Sequence, residues 1–205
     1  MAVAEISRPP AAPAPEHAGI HVGMMGMFIF LSSEIMFFGS MFAMYYYLTG
    51  SHPTWPPQGT RGVPAMPLPT INTVILLSSG ATMHIGHIAI QRGRRRLLIW
   101  MLVITIILGA LFEAGQAYEF LTAHISFNTN QFASAFFTMT GFHGGHVLGG
   151  LIFLGLILWR TLRGHFDAQH HVGVAACAIY WHFVDVVWLF LYGILYWGAT
   201  GAGGA

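Results

Sequence analysis

Residues 178–198 read AIYWHFVDVVWLFLYGILYWG, a run long enough to cross a bilayer that nevertheless carries His182 and Asp185 near its middle. An aspartate at mid-membrane costs about 3 kcal/mol on insertion scales, so such a residue turns away from lipid and finds a partner inside a protein bundle. This one stretch predicts an integral membrane protein with a polar interior, and that interior is where function is to be sought.

Composition agrees. The chain is 55% hydrophobic and 7% charged, against about 25% charged for a soluble domain. All eight basic residues are arginine and the net charge is +1, which offers no basic face to nucleic acid. The single cysteine, Cys177, can form no internal disulfide and reads as a small core residue.

Five apolar stretches reach the ~20 residues that a membrane helix needs. They lie near Val22–Leu48, Thr70–Ile90, Leu97–Leu121, Phe132–Trp159 and Val174–Trp197. The predicted fold class is all-α: a bundle of five transmembrane helices forming a single domain over 22–198. Residues 1–21, which include AEISRPPAAPAPEH, read as a disordered tail without the layout of a secretory signal. Residues 199–205 read as a flexible C-terminus. Arg92, Arg94, Arg95 and Arg96 separate spans two and three, Arg160 and Arg163 separate spans four and five, and Arg8 is in the tail; Arg61 alone falls on the other side. The positive-inside rule then places the N-terminus in the cytoplasm and the C-terminus outside. The connection SHPTWPPQGTRGVPAMPLP becomes an external loop stiffened by prolines.

In span four, Gly141, Gly145 and Gly149 recur every four residues and predict a smooth ridge for a neighbouring helix. His143 and His146 share a different face. The ionisable residues inside spans are Glu34, Glu113, Glu119 and Asp185, with His84, His87, His143, His146 and His182. At ~1.5 Å rise per residue, His143 and His182 fall at similar depths in antiparallel neighbours. A contact zone is therefore expected between His143 or His146 and the pair His182 and Asp185. Such histidines could grip a haem between facing helices, hold a metal together with a carboxylate, or satisfy the carboxylates and fix helix register.

Glu34, deep in FIFLSSEIMFFGSMF, reads as a proton-relay carboxyl, a group facing a cleft, or a carboxyl bonded to a neighbouring helix. Glu119, near the outer end of span three, is expected to be solvated or interfacial, and Gln116 is the local partner expected for Glu113. Tyr45, Tyr46, Tyr47, Trp100, Trp159, Tyr196 and Trp197 lie at span ends, where an aromatic belt is expected. Trp55, Glu119 and Trp181 are candidates for contact with lipid or a partner, and Tyr180 and Trp181 also for internal packing. His165, His170 and His171 cluster on a loop predicted to be cytoplasmic.

Six motifs follow one another in order: SSEIMFFGSMFAMYY at 32–46, WPP at 55–57, PTINTVILLSSG at 69–80, GQAYEF at 115–120, TGFHGGHVLGG at 140–150 and HHVGVAACAIYWHFVDVVWLFLY at 170–192. Together they resemble subunit III of the haem–copper cytochrome c oxidases, in the short five-helix bacterial form. The resemblance implies an accessory subunit of the bacterial plasma membrane that itself carries no haem, copper or other metal. Haem and copper would reside in the partner subunits, and bound phospholipid is implied. It further implies that the chain flanks catalytic subunit I and subunit II, stabilises the catalytic subunit and supports cytoplasmic proton uptake; other respiratory complexes are possible neighbours. Glu34 matches the family's buried glutamate, and His143, His146, His182 and Asp185 match its motif positions. Quinol oxidases and a nitric oxide reductase accessory subunit share the family shape, and a small haem-binding cytochrome b is the reading from a different class.

Overall fold

The computed structural model describes residues 21–57, 67–123 and 125–197. The expectations for the N-terminal tail and for 199–205 fall outside those residues, apart from His21, as do Arg8 and Arg61. Five long helices follow in order: α1 (Val22–Ser51), α2 (Leu68–Gln91), α3 (Arg95–Thr122), α4 (Gln131–Leu162) and α5 (Val172–Tyr192), the last running into a π-helical turn at Gly193–Trp197. All five are long and apolar enough to cross a membrane, and no strand occurs among the described residues. The all-α, five-span expectation is met, and the chain is a multi-pass membrane protein by fold.

The helices overrun the expected spans by up to a few residues, and two of them begin on polar caps. The His21 ring accepts the Gly23 N–H at the start of α1, and Asn130 Oδ1 accepts the Ala133 N–H at 2.9 Å at the start of α4. Pro69 sits in the first turn of α2, where its missing N–H leaves no bond unmade. Arg95 opens α3 and reaches across to the end of α4, donating Nε to the Thr161 carbonyl and Nη2 to the Leu162 carbonyl, each at 2.8 Å. That placement adds two acceptor bonds at the last carbonyls of α4 and complements the negative end of its dipole. Beyond these helices the chain turns at Gly93 and Gly164, with φ of 69° and 81°, where a side chain would be strained.

Helices α2, α3, α4 and α5 form the bundle, with α2 against α3 and α5, and α4 against α3 and α5; α1 lies outside, over α5 and α4. Without a hydrophobic drive between helices in lipid, close packing and hydrogen bonds must hold them. Trp181 supplies both. Its ring wedges between Gly109 of α3 and Gly150 of α4: a Cβ at Gly109 would fall 2.8 Å from Cη2, and one at Gly150 would fall 2.7 Å from Cζ3. Its indole N–H donates to Ser79 Oγ of α2 at 2.9 Å. Seven residues on, Trp188 donates to Thr73 Oγ1, also at 2.9 Å.

The expected glycine ridge of Gly141, Gly145 and Gly149 takes no helix of this chain among the described residues. Around Gly141 and Gly145 an added Cβ would meet nothing within 4 Å, and at Gly149 only the Tyr180 hydroxyl at 3.5 Å. The close approaches on α4 belong to Gly144, opposite the Glu113 carboxyl at 3.1 Å, and to Gly150. A four-residue spacing defines a stripe but not the direction in which it points.

Candidate functional site

The interior polar groups lie in three places around α5. On the α1 side, Glu34 Oε2 is 2.9 Å from His146 Nε2, with both side chains largely buried, at 17% and 18% exposure. His146 Nδ1 lies 2.7 Å from the Phe142 carbonyl. A carbonyl only accepts, so Nδ1 bears a hydrogen and donates. The Nε2···Oε2 contact therefore holds one proton, carried as imidazolium against carboxylate or as a carboxylic acid donating to a neutral ring. Phe38 stacks edgewise on the imidazole at 5.0 Å, and the Tyr180 hydroxyl donates to the His146 carbonyl at 2.9 Å. One polar pair in an aromatic box thus ties α1 to α4.

On the α2 side, Asp185 is buried with Oδ2 3.5 Å from His182 Nδ1. A Cβ added to Gly80 would collide with the Asp185 carboxylate, so α2 presents bare backbone to it. The His182 ring lies 6.0 Å from that of His84, and His87 lies 6.1 Å from His171. Toward the bundle centre, His143 is fully buried, its ring 5.0 Å from Trp188 and edge-on to Phe112 at 5.9 Å.

The expected contact between His143 or His146 and the pair His182 and Asp185 is not formed. Along the antiparallel α4–α5 seam, His143 meets Trp188 and Gly150 meets Trp181, which puts His146 level with Asp185. Their directions differ: His146 points to α1 while Asp185 and His182 point to α2. Depth arithmetic reads level and is blind to azimuth.

Further expectations change. Glu119 is fully buried rather than solvated, and accepts a hydrogen bond of 2.5 Å from the Tyr196 hydroxyl. Tyr196 and Tyr45 are core residues and not part of an interfacial belt, whereas Tyr46, Tyr47, Trp100, Trp159 and Trp197 are exposed as a belt requires. Trp181 is also fully buried, so it is a packing residue and not a contact for lipid or a partner. The Glu113 carboxyl faces Gly144 of α4 rather than Gln116. Trp55 is half-buried, its indole donating to the Tyr45 hydroxyl at 3.0 Å, which in turn donates to the Ile194 carbonyl. It thereby folds the loop after α1 back onto the bundle.

Sequence reasoning overlooked Ser79, Gly80 and Thr73 as the α2 partners of α5. The signal was available, because Trp181 and Trp188 are seven apart and so share a helix face, opposite a segment rich in small hydroxyl residues. Outside the spans, Asp167 Oδ1 accepts the backbone N–H groups of His170 at 2.6 Å and Gln169 at 2.8 Å. Those bonds hold its carboxyl below the usual aspartate value.

Comparison with known proteins agrees with this architecture. The sequence model of the family described as cytochrome c oxidase subunit III matches residues 14–200. A protein of Thermostichus vulcanus named cytochrome c oxidase subunit 3 is 46% identical over 184 residues, covering 89% of this chain and 90% of its own length. Proteins of the same name from Cyprinus carpio and Prototheca wickerhamii are 43% and 42% identical, covering 84% and 88% of this chain and 68% and 72% of their own lengths. The match spans every helix described above, and the chain belongs to the cytochrome c oxidase subunit III family.

Proposed function

We propose that this chain is a non-redox accessory subunit that braces the catalytic core of a haem–copper oxidase in a bacterial plasma membrane, retains phospholipid against it and supports proton uptake. The oxidase would draw electrons from cytochrome c, reduce dioxygen to water and move protons outward; haem and copper would belong to its partners, subunits I and II. The observation that carries this reading is that three of the interior carboxyl groups are set against a neighbouring helix. Glu34 is joined to His146, Glu119 to Tyr196, and Asp185 is seated against Gly80 of α2. Such pairs fix the arrangement of a bundle at membrane depth, where each unpaired group would be costly.

Two features support the lipid and proton roles. A groove of about 550 Å³ between α1 and α5 is lined by Leu31, Ile35, Phe42, Phe183, Val186 and Phe190 among others, a surface suited to an acyl chain. Arg92, Arg94, Arg95, Arg96, Arg160 and Arg163 gather at one end of the bundle, which the positive-inside rule assigns to the cytoplasm. The loop at that end carries His165, Asp167 and His170, all exposed, with His171 partly buried at the start of α5. Deleting the chain from the complex is expected to leave haem content intact while turnover decays sooner. Loss of haem incorporation on deletion would overturn the bracing role.

A further inference from the structure

The outward face of α2 changes character along its length. In the half remote from the arginines it presents Ile71, Val74 and Leu77, all exposed. In the arginine half it presents Ser78, Ala81 and His84 beside Ile85, also exposed. His84 lies seven residues, about 10 Å, from the Gln91 end of α2, and His182 ten residues, about 15 Å, from the Val172 end of α5. Both are inside a hydrocarbon layer ~30 Å thick. Their rings are 6.0 Å apart; the His182 side chain, 41% exposed, has Asp185 at 3.5 Å and also borders the α1–α5 groove, so His84 is the imidazole on this outward patch that is left without a hydrogen bond among the described residues.

Lipid tails offer such groups no hydrogen bond. Other outward polar groups of the spans ask for none: the exposed Ser32, Ser33 and Ser40 of α1 each donate to a carbonyl of their own helix at 2.6–2.8 Å. His84 has its ring contact with His182 and, among the described residues, no hydrogen bond. Beside it, the small side chains of Ser78 and Ala81 let another helix approach closely. The outward face of α3, with Ile104, Ile107 and Leu111, is by contrast apolar and suits lipid.

We infer that the α2–α5 patch of His84 and His182 is the surface on which this chain docks against a transmembrane helix of the oxidase's membrane-embedded core. That helix would present a hydrogen-bonding side chain at the depth of the two imidazoles and pack its backbone over Ser78 and Ala81. The inference rests on the proposal that the chain serves as a subunit of an oxidase complex. Lipid headgroups are excluded as the occupant by depth, since the patch lies a third to a half of the way into the hydrocarbon.

The test uses the whole complex in its native membrane. A photoreactive benzoylphenylalanine is placed by Ala81→benzoylphenylalanine or Ile85→benzoylphenylalanine on this face, and by Ile107→benzoylphenylalanine or Ile152→benzoylphenylalanine on α3 and α4. Crosslinks to a core subunit from 81 and 85, and to lipid from 107, are expected. In parallel, His84→Leu is expected to lower retention of the chain through a mild-detergent wash about fivefold, the scale of one hydrogen bond, while His84→Gln retains it. Crosslinks to a core subunit only from 107 or 152 would overturn the docking face while leaving subunit membership standing. Crosslinks from 81 and 85 only to lipid or to a second copy of the chain would overturn it too, as would undiminished retention of His84→Leu. Failure of the wild-type chain to co-purify with any haem-containing subunit would instead sink the function proposed above.

Discussion

Two glycines nine residues apart on α4, Gly141 and Gly150, should respond in opposite ways to one added methyl group. At Gly150 a Cβ would stand 2.7 Å and 2.8 Å from Trp181 carbons and 3.1 Å from Tyr180, where ordinary contact begins at 3.4 Å. The indole cannot retreat freely, because Gly109 closes its other edge and its N–H is fixed on Ser79. Overpacking of this kind costs about 1–3 kcal/mol. At Gly141 the same methyl meets nothing within 4 Å, and helix propensity there favours alanine by up to about 1 kcal/mol. Gly150→Ala and Gly141→Ala should therefore differ by about 2 kcal/mol in unfolding free energy, read by detergent-driven unfolding in mixed micelles. The loss at Gly150 should shrink in a Trp181→Leu background, with a coupling of at least about 0.5 kcal/mol. Equal losses at both glycines, or no relief in that background, would refute the wedge.

Three other outcomes follow from the same geometry. Glu34→Ala leaves His146 Nε2 unpaired in its aromatic box and should cost about 1–3 kcal/mol, with α1 more open to protease than in Glu34→Gln, which can still hydrogen-bond the ring. Tyr196→Phe removes the hydroxyl that donates to the fully buried Glu119 carboxyl, and a loss of about 1–3 kcal/mol is expected in the same unfolding assay. Because Asp167 is held below its usual value when folded, its turn is stabilised above the unfolded aspartate pKa near 3.8 and loses that support as pH falls through the folded value. Hydrogen exchange at Gln169 and His170 should therefore rise in acid, and Asp167→Ala should show the faster exchange already at neutral pH.

Helix number and type were legible because apolar length alone decides them in a bilayer. The need of Asp185 for a protein partner was legible for a related reason, since the cost of baring a carboxylate to lipid does not depend on fold. What could not be read was direction around each helix axis. Gly141 and Gly150 are alike in sequence, yet one faces outward and the other a tryptophan ring. Glu119 sits near a helix end in sequence, but the π-helical turn after α5 folds Tyr196 over it and removes it from water. Hydropathy could not report that turn, because a residue gained in the winding changes no residue's polarity.

The paired indole bonds of α5 limit how the molecule can move. Trp181 is fastened to Ser79 and Trp188 to Thr73, two rivets about 10 Å apart along one helix. A single rivet would permit pivoting, but two forbid both sliding and swivelling of α2 against α5 unless both break together. A displacement imposed on either helix is thus handed on whole, while α1, held by the Glu34–His146 pair and the Tyr45 bond to Ile194, lies outside this riveted unit.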